Sequence, residues 1–270
     1  MILTVSHVTT YSYDQPVRGA VQSLRLTPSR FDGQKVIDWT VAVEGGILGG
    51  AFRDGAGDWI EGWSVRGPLS EVVVRVEGRV DTTDLAGILR GHRETVPPAA
   101  YLRDTEPTRV DAAQEEMAHD AASGATGGLD CAHRLSAAVA EAIAYRPGVT
   151  AAHTTAAEAL ALGEGVCQDH AHALIAFART LGMPGRYVSG YLFADGDGNA
   201  HEAAHAWAEV WVDGLGWIGF DPANRCCPDD RYIRLGSGTD AHDAAPIRGV
   251  AHGASVERMN VAVAILSAQQ

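Results

Sequence analysis

The sequence predicts an α+β protein in two parts: an all-β, sandwich-like region over residues 1–103, then a mixed helix-and-strand core over 104–270. Short β-branched or alternating runs fill the first part at 2–13, 36–43, 58–65 and 71–80, separated by Gly, Pro and Asp clusters. Past Val96-Pro97-Pro98 and Thr105-Glu106-Pro107, alanine-rich stretches with apolar residues at three- and four-residue steps take over. A chain of 270 residues exceeds the usual single-domain size, and an apolar fraction of 46% suffices for two packed cores.

In chain order, helices are expected at 109–122, 131–145, 155–162 and 167–181. The second carries the stripe Leu135, Val139, Ala142 and Ile143, and the third opens with a capping box of Thr155 and Glu158. From Cys167 the apolar positions Ala171, Leu174, Ile175 and Ala178 define the fourth. Strands follow near 186–193, 203–213 and 216–221. The glycine-rich stretch 235–254 reads as a loop over or beside the site, and the apolar run 256–265 as a closing strand.

The chemistry concentrates in Gly163-Glu164-Gly165-Val166-Cys167-Gln168-Asp169-His170, a glycine turn that delivers a cysteine to the first turn of a helix. A thiol attacks as thiolate, and a helix N-terminus and a nearby imidazolium both favour that form. Free first-turn N–H groups can also donate to an oxyanion. His205, in His-Ala-Trp-Ala-Glu-Val-Trp, and Asp221, in Gly-Phe-Asp-Pro, lie on the arms of an expected hairpin that turns at Asp213-Gly214-Leu215-Gly216. An odd loop that pairs Trp211 with Trp217 sets Asp221 opposite Trp207 and diagonal to His205 on one face, whereas an even loop separates them. We expect the odd register, because Asp221 then orients the ring whose other nitrogen faces Cys167.

Five segments together resemble the bacterial transglutaminase-like superfamily: Thr155–Leu160, Gly165–Asp169, Arg186–Tyr191, His205–Glu209 and Gly216–Pro222. Thr10–Val17 and Leu24–Pro28 look like the β-rich domain that precedes the catalytic core in one bacterial branch. The resemblance implies a papain-like core with Cys167 as nucleophile, His205 as general base and acid, and Asp221 as orienting carboxylate. It further implies acyl transfer on a peptide or protein substrate through a thioester, with hydrolysis ahead of amine transfer. A noncatalytic binding module is the alternative from another class. His170 stands where an aromatic residue is usual, and Thr239-Asp240-Ala241-His242-Asp243 replaces an Arg-Asp-Tyr-x-Asp run. No upstream side chain matches the second oxyanion donor, for which Gln168 and Tyr145 are candidates. Trp207, Gln168 and Gly165 are the expected substrate-binding residues.

Taken singly, each residue has an ordinary reading: a buried thiol, a strand histidine, a turn-starting aspartate. Their joint spacing is what points to a triad. Glu164 and Glu209 read as surface or supporting carboxylates. Zinc is disfavoured, since His170 and His172 diverge on a helix, His201 and His205 diverge unless helical, and no C-x-x-C or H-E-x-x-H occurs. Asp195-Gly196-Asp197-Gly198-Asn199 imitates half a calcium loop, but Ala200 and Ala206 occupy its required Gly and Glu positions. No metal or cofactor is expected. A net charge of −13 disfavours nucleic-acid and membrane partners, and oligomeric state stays open. The first residues lack a signal-peptide pattern, and four cysteines including the vicinal Cys226-Cys227 make no disulfide framework, so a cytoplasmic setting is expected.

Overall fold

The computed structural model describes residues 1–193 and 204–267. Four strands open the chain: β1 (Ile2–Leu24), β2 (Gln34–Val43), β3 (Gly46–Arg53) and β4 (Trp59–Thr82). After 3₁₀ turns at Pro98–Leu102 and Glu106–Thr108 come helices α1 (Ala112–Ala122), α2 (Gly128–Ala142), α3 (Ala156–Leu162) and α4 (Cys167–Thr180), with β5 (Ala144–Tyr145) and β6 (Glu164–Gly165) flanking α3. Then follow β7 (Gly185–Leu192), β8 (Ala204–Val212), β9 (Gly216–Phe220), β10 (Tyr232–Gly238), β11 (Ile247–Ala251) and β12 (Glu257–Ser267). The expected α+β architecture is present, with the strand-rich region first and the helix-bearing core after it.

Strand β1 alternates, turning Leu3, Val5, His7, Thr9, Tyr11 and Tyr13 inward, as a half-buried strand must. Residues 2–12 pair with 71–81 of β4, and 19–24 with 61–66, with register shifts at Ser12/Val17 and Val17/Gly19. Such bulges bend a strand pair. Both halves therefore close over one core, in which Leu3, Val74 and Val76 from one half meet Leu24 and Val65 from the other. A Cβ on Gly67 would stand 2.3 Å from the Val17 carbonyl oxygen, so only glycine lets the chains approach at this corner.

Several expectations are corrected. Residues 58–65 and 71–80 are parts of one bent strand, β4, and the glycines at 46, 49 and 50 conceal strand β3. The 235–254 stretch holds β10 and β11 rather than a continuous loop. A closing strand exists, but it pairs antiparallel with β1, from Leu3 opposite Ser267 to Tyr13 opposite Glu257, and β11 pairs with the same strand further along. Residues 247–267, read from sequence as part of the 104–270 core, thus belong to the N-terminal sheet, where they cover an edge of β1 that would otherwise offer unpaired backbone groups.

The core sheet runs in the order β10-β7-β8-β9, all antiparallel. Helix α4 buries Ala171, Leu174, Ile175 and Ala178 in one cluster with Ala206, Ala208 and Val210 of β8 and Ile218 and Phe220 beyond it. Alanine on both surfaces allows close approach. Among the described residues no helix is long and apolar enough to cross a membrane.

Strand β10 is hidden in the sequence because Arg234, Gly236 and Gly238 interrupt its apolar pattern. Arg234 is nevertheless 2% exposed and meets its charge inside: Glu209 at 2.9 Å on one side and Asp58, from the β3–β4 loop, at 2.9 Å on the other. Glu209 also binds Arg186 at 2.6 Å, and Arg186 reaches Glu94 while its guanidinium lies 4.0 Å over the Trp217 ring. Of its two expected readings, surface or supporting carboxylate, Glu209 takes the second, because it is enclosed. Burial opposes its charge, but Arg234 and Arg186 outweigh that and pull its pKa down to about 2. Such a chain of charges is stable only while every partner is present. Asp58→Ala should therefore lower the unfolding free energy by about 3–5 kcal/mol. A urea-unfolding midpoint unchanged from the parent would show that Arg234 finds water instead.

Candidate active site

Gly163 takes a left-handed conformation (φ 72°) that ends α3, and its carbonyl accepts from Ala144 N–H at 2.8 Å. The parallel pairing of β5 with β6 then carries the chain to Val166, the extended residue that caps α4. Asp169, fully buried in the first turn, accepts from Val166 N–H at 2.8 Å and from the Thr150 hydroxyl at 2.7 Å. This acidic cap replaces the hydroxyl cap that valine cannot supply. Gly165 is needed for it, because a Cβ there would lie 2.7 Å from Asp169 Oδ2. Cys167 is left half-buried at the first helical position, where the amides of Cys167 and Gln168 have no acceptor inside the helix.

Trp211 pairs with Trp217 across the hairpin, the odd-loop register, with Ala208 opposite Phe220. Continued one step, it sets Asp221 diagonal to His205. His205 Nε2 stands 2.6 Å from Asp221 Oδ2, which leaves Nδ1 as the nitrogen for the Cys167 thiol. Burial disfavours charge on the ring, but the hydrogen bond to Asp221 and that carboxylate's charge, with a contribution from the Cys167 thiol, outweigh it and push the His205 pKa up to about 10. Asp221 is fully buried. Burial alone would raise its pKa, yet the bond and charge of His205, helped by Asn224 and Tyr232, hold it below the ordinary carboxylate value.

Two of these partners have no place in the sequence-based expectation. Asn224 Nδ2 donates to Asp221 Oδ2 at 2.7 Å, and the Tyr232 hydroxyl donates to the same oxygen at 2.8 Å. The Asp221-Pro222-Ala223-Asn224 turn offers a local hint of the first, since such turns fold a side chain back on their opening residue. Tyr232 has no such signal, because it arrives on the concealed β10.

The expected substrate-binding residues fare differently. Trp207 shares a face with His205, but it is 2% exposed, sits edge-on to Tyr232 with ring centroids 5.5 Å apart, and fills the space above Gly190. It backs His205 instead of lining an open groove. Gln168 donates to the Ala152 carbonyl at 3.2 Å, and Gly165 is buried under the Asp169 cap, so each shapes the helix start. Tyr145, exposed on β5, has its ring 6.2 Å from His170.

The remaining histidines of this region are structural. Both His170 nitrogens face carbonyl oxygens, Val166 and Ile143, each at 2.9 Å. His172 accepts from Ala241 N–H at 3.0 Å, and burial pushes its pKa down to about 4. Glu164 pairs with the exposed Arg146 at 2.6 Å. Among the described residues no group of three or more His, Cys, Asp or Glu side chains is placed to hold a metal ion. His201 and the Asp195–Asn199 segment lie outside the described residues.

A cysteine-bearing helix end beside an imidazole paired with a buried carboxylate, on an antiparallel sheet preceded by a β-rich region, defines a transglutaminase-like protein. The sequence matches the Transglutaminase-like superfamily over residues 115–222 and the Bacterial transglutaminase-like N-terminal region over 3–81. An uncharacterized protein of Mycobacterium leprae is 30% identical over 97% of this chain and 98% of its own length. One from Mycobacterium bovis is 28% identical over 91% of this chain and 86% of its own. The chain belongs to the bacterial transglutaminase-like superfamily. Its fold is shared by a solved protein of Cytophaga hutchinsonii, provisionally described as a cysteine protease, with a TM-score of 0.74 and 21% identity over 100% of this chain and 92% of that one.

Gly165→Ala forces its methyl against the Asp169 carboxylate and should cost about 1–3 kcal/mol. Slower alkylation of Cys167 by iodoacetamide should accompany the loss. Parent-like thermal stability and alkylation would show that the cap adjusts freely.

Proposed function

We propose that the protein is a cysteine-dependent acyl-transfer enzyme acting on peptide or isopeptide amide bonds, with water as the favoured acceptor. The observation that carries this reading is the 2.6 Å contact between His205 and Asp221, with the ring's other side turned to a thiol at the start of α4. In the mechanism, the Cys167 thiolate attacks the amide carbonyl while first-turn amides, Cys167 N–H among them, receive the developing oxyanion. Protonated His205 gives its proton to the leaving amine, and Asp221 stays ionised to steer the ring. Water, activated by the now neutral His205, then hydrolyses the thioester. A primary amine at the same step would give cross-linking. The half-buried, water-accessible position of Cys167 favours hydrolysis, and the provisional description of the Cytophaga protein agrees with that order. All four cysteines are free thiols, which supports the cytoplasmic setting.

Cys167→Ala should abolish turnover, and Asp221→Asn should reduce it about 10³- to 10⁴-fold. The pH dependence follows from the His205 shift. A raised pKa keeps the ring charged above neutrality, so activity is retained at pH 7–9 and lost as pH rises through about 10. In Asp221→Asn, whose side chain no longer brings a negative charge to the ring, that alkaline limb should move to lower pH. A parent whose activity already falls near pH 7, or a limb that Asp221→Asn leaves in place, contradicts the mechanism. Incubating a glutamine-containing peptide with and without excess primary amine separates the acceptors: free acid in both supports hydrolysis, while amide product with amine favours transfer. Cys167 no more reactive to iodoacetamide than Cys131 would favour a noncatalytic module.

A further inference from the structure

The Asp221 carboxylate is held by more than the histidine it steers. Its Oδ2 accepts from His205 at 2.6 Å, from Asn224 at 2.7 Å and from the Tyr232 hydroxyl at 2.8 Å. A hydroxyl has one proton, and here it is directed at the carboxylate. The Cys226 sulfur, 3.3 Å from the same hydroxyl, must therefore be the donor in its own contact, giving a directed series from Cys226 S–H to Tyr232 O–H to Asp221. Tyr232 is 5% exposed, its ring is 5.9 Å from that of His205, and Trp207 closes against it edge-on. At that burial the ring presents little surface to a substrate among the described residues. Whatever Tyr232 does, it does through Asp221.

We propose that Tyr232 is a positioning residue of the triad, its hydroxyl clamping Asp221 Oδ2 toward His205 while the Cys226 thiol holds the hydroxyl in that orientation. This rests on the triad reading above and adds a residue to it. Sharing one oxygen among three donors also moderates the carboxylate. With the Tyr232 donor gone, more negative charge remains for the ring, so His205 should hold its proton more tightly and be a poorer acid toward the leaving amine. The groups that face this pair are Cys167 from α4, His205 from β8, Tyr232 from β10 and Cys226 from the 221–231 loop, with Asp229 and Arg231 acting on Cys226 from the same loop. Glu209, on the same face of β8, is neutralised by its two arginines.

The test is Tyr232→Phe, which keeps the ring and removes only the hydroxyl. We expect kcat to fall about 10-fold, as for loss of one hydrogen bond to a charged group, with KM unchanged. The alkaline limb should move up by roughly half a pH unit or more, opposite to the shift expected for Asp221→Asn. Cys226→Ala should move it the same way by less. A structural role alone would reduce activity without moving the limb, so an unmoved limb overturns the proposal whatever the loss of rate. The His205 ring titration, followed by NMR in the parent and in Tyr232→Phe, reads the same shift without turnover. If the parent cleaves no amide, the functional reading fails, while an upward shift of that titration still upholds the clamp and an unchanged one rejects it.

Discussion

A negative charge with almost no access to water has to be met by protein donors, and the Asp221 carboxylate imposes that requirement on everything around it. His205 supplies one donor from β8, Asn224 another from the turn that follows β9, and Tyr232 a third from β10. None of these is adjacent to another in the chain, so the site exists only when the core sheet is assembled in the order β10-β7-β8-β9. The thiol is brought by an independent device, the glycine-led helix start capped by Asp169. Two local solutions meet at one imidazole.

The N-terminal region takes part in this assembly through charge. Arg234 lies two residues beyond Tyr232 on β10, hence on the same face, and is gripped by Asp58 from the β3–β4 loop and by Glu209 from β8. Ser237, further along β10, donates its backbone N–H to Asp58 at 2.7 Å. The strand that carries the tyrosine is thus tied to the β-rich region by groups that would be costly to leave unpaired. Apolar packing reinforces the tie, since Tyr191, Ile233 and Leu235 of the core sheet fall within the N-terminal cluster. The two parts share both a core and a set of charges.

What is legible in the sequence is what neighbours in the chain decide. The stripe from Ala171 to Ala178 sets helix α4 within a residue of its observed end, and the hairpin loop fixes the register that brings His205 and Asp221 together. Features that depend on distant partners stay hidden. Arg234 looks like an interruption of a strand because its two carboxylates lie on other elements, and for the same reason the sequence leaves Glu209 open between a surface and a supporting carboxylate. Trp207 falls on the expected face, but whether an aromatic ring lines a groove or fills a core depends on what covers it, and Tyr232 covers it. The final strand can be recognised as a strand, whereas its partner cannot, because eleven residues of alternating pattern do not say which edge they will close.

That last pairing bears on how the molecule is made. Strand β1 is synthesised well before its neighbour β12, with Leu3 meeting Ser267 only after the intervening helices and the core sheet have been made. Until then one edge of the first strand stays open, and its apolar face lacks part of its cover. The nascent chain is therefore held in a state prone to association, and a contact of such long sequence separation makes completion of the β-rich region slow and late. Polypeptides released early by truncated messages would retain the cysteine, histidine and aspartate and still lack the seam that closes the fold.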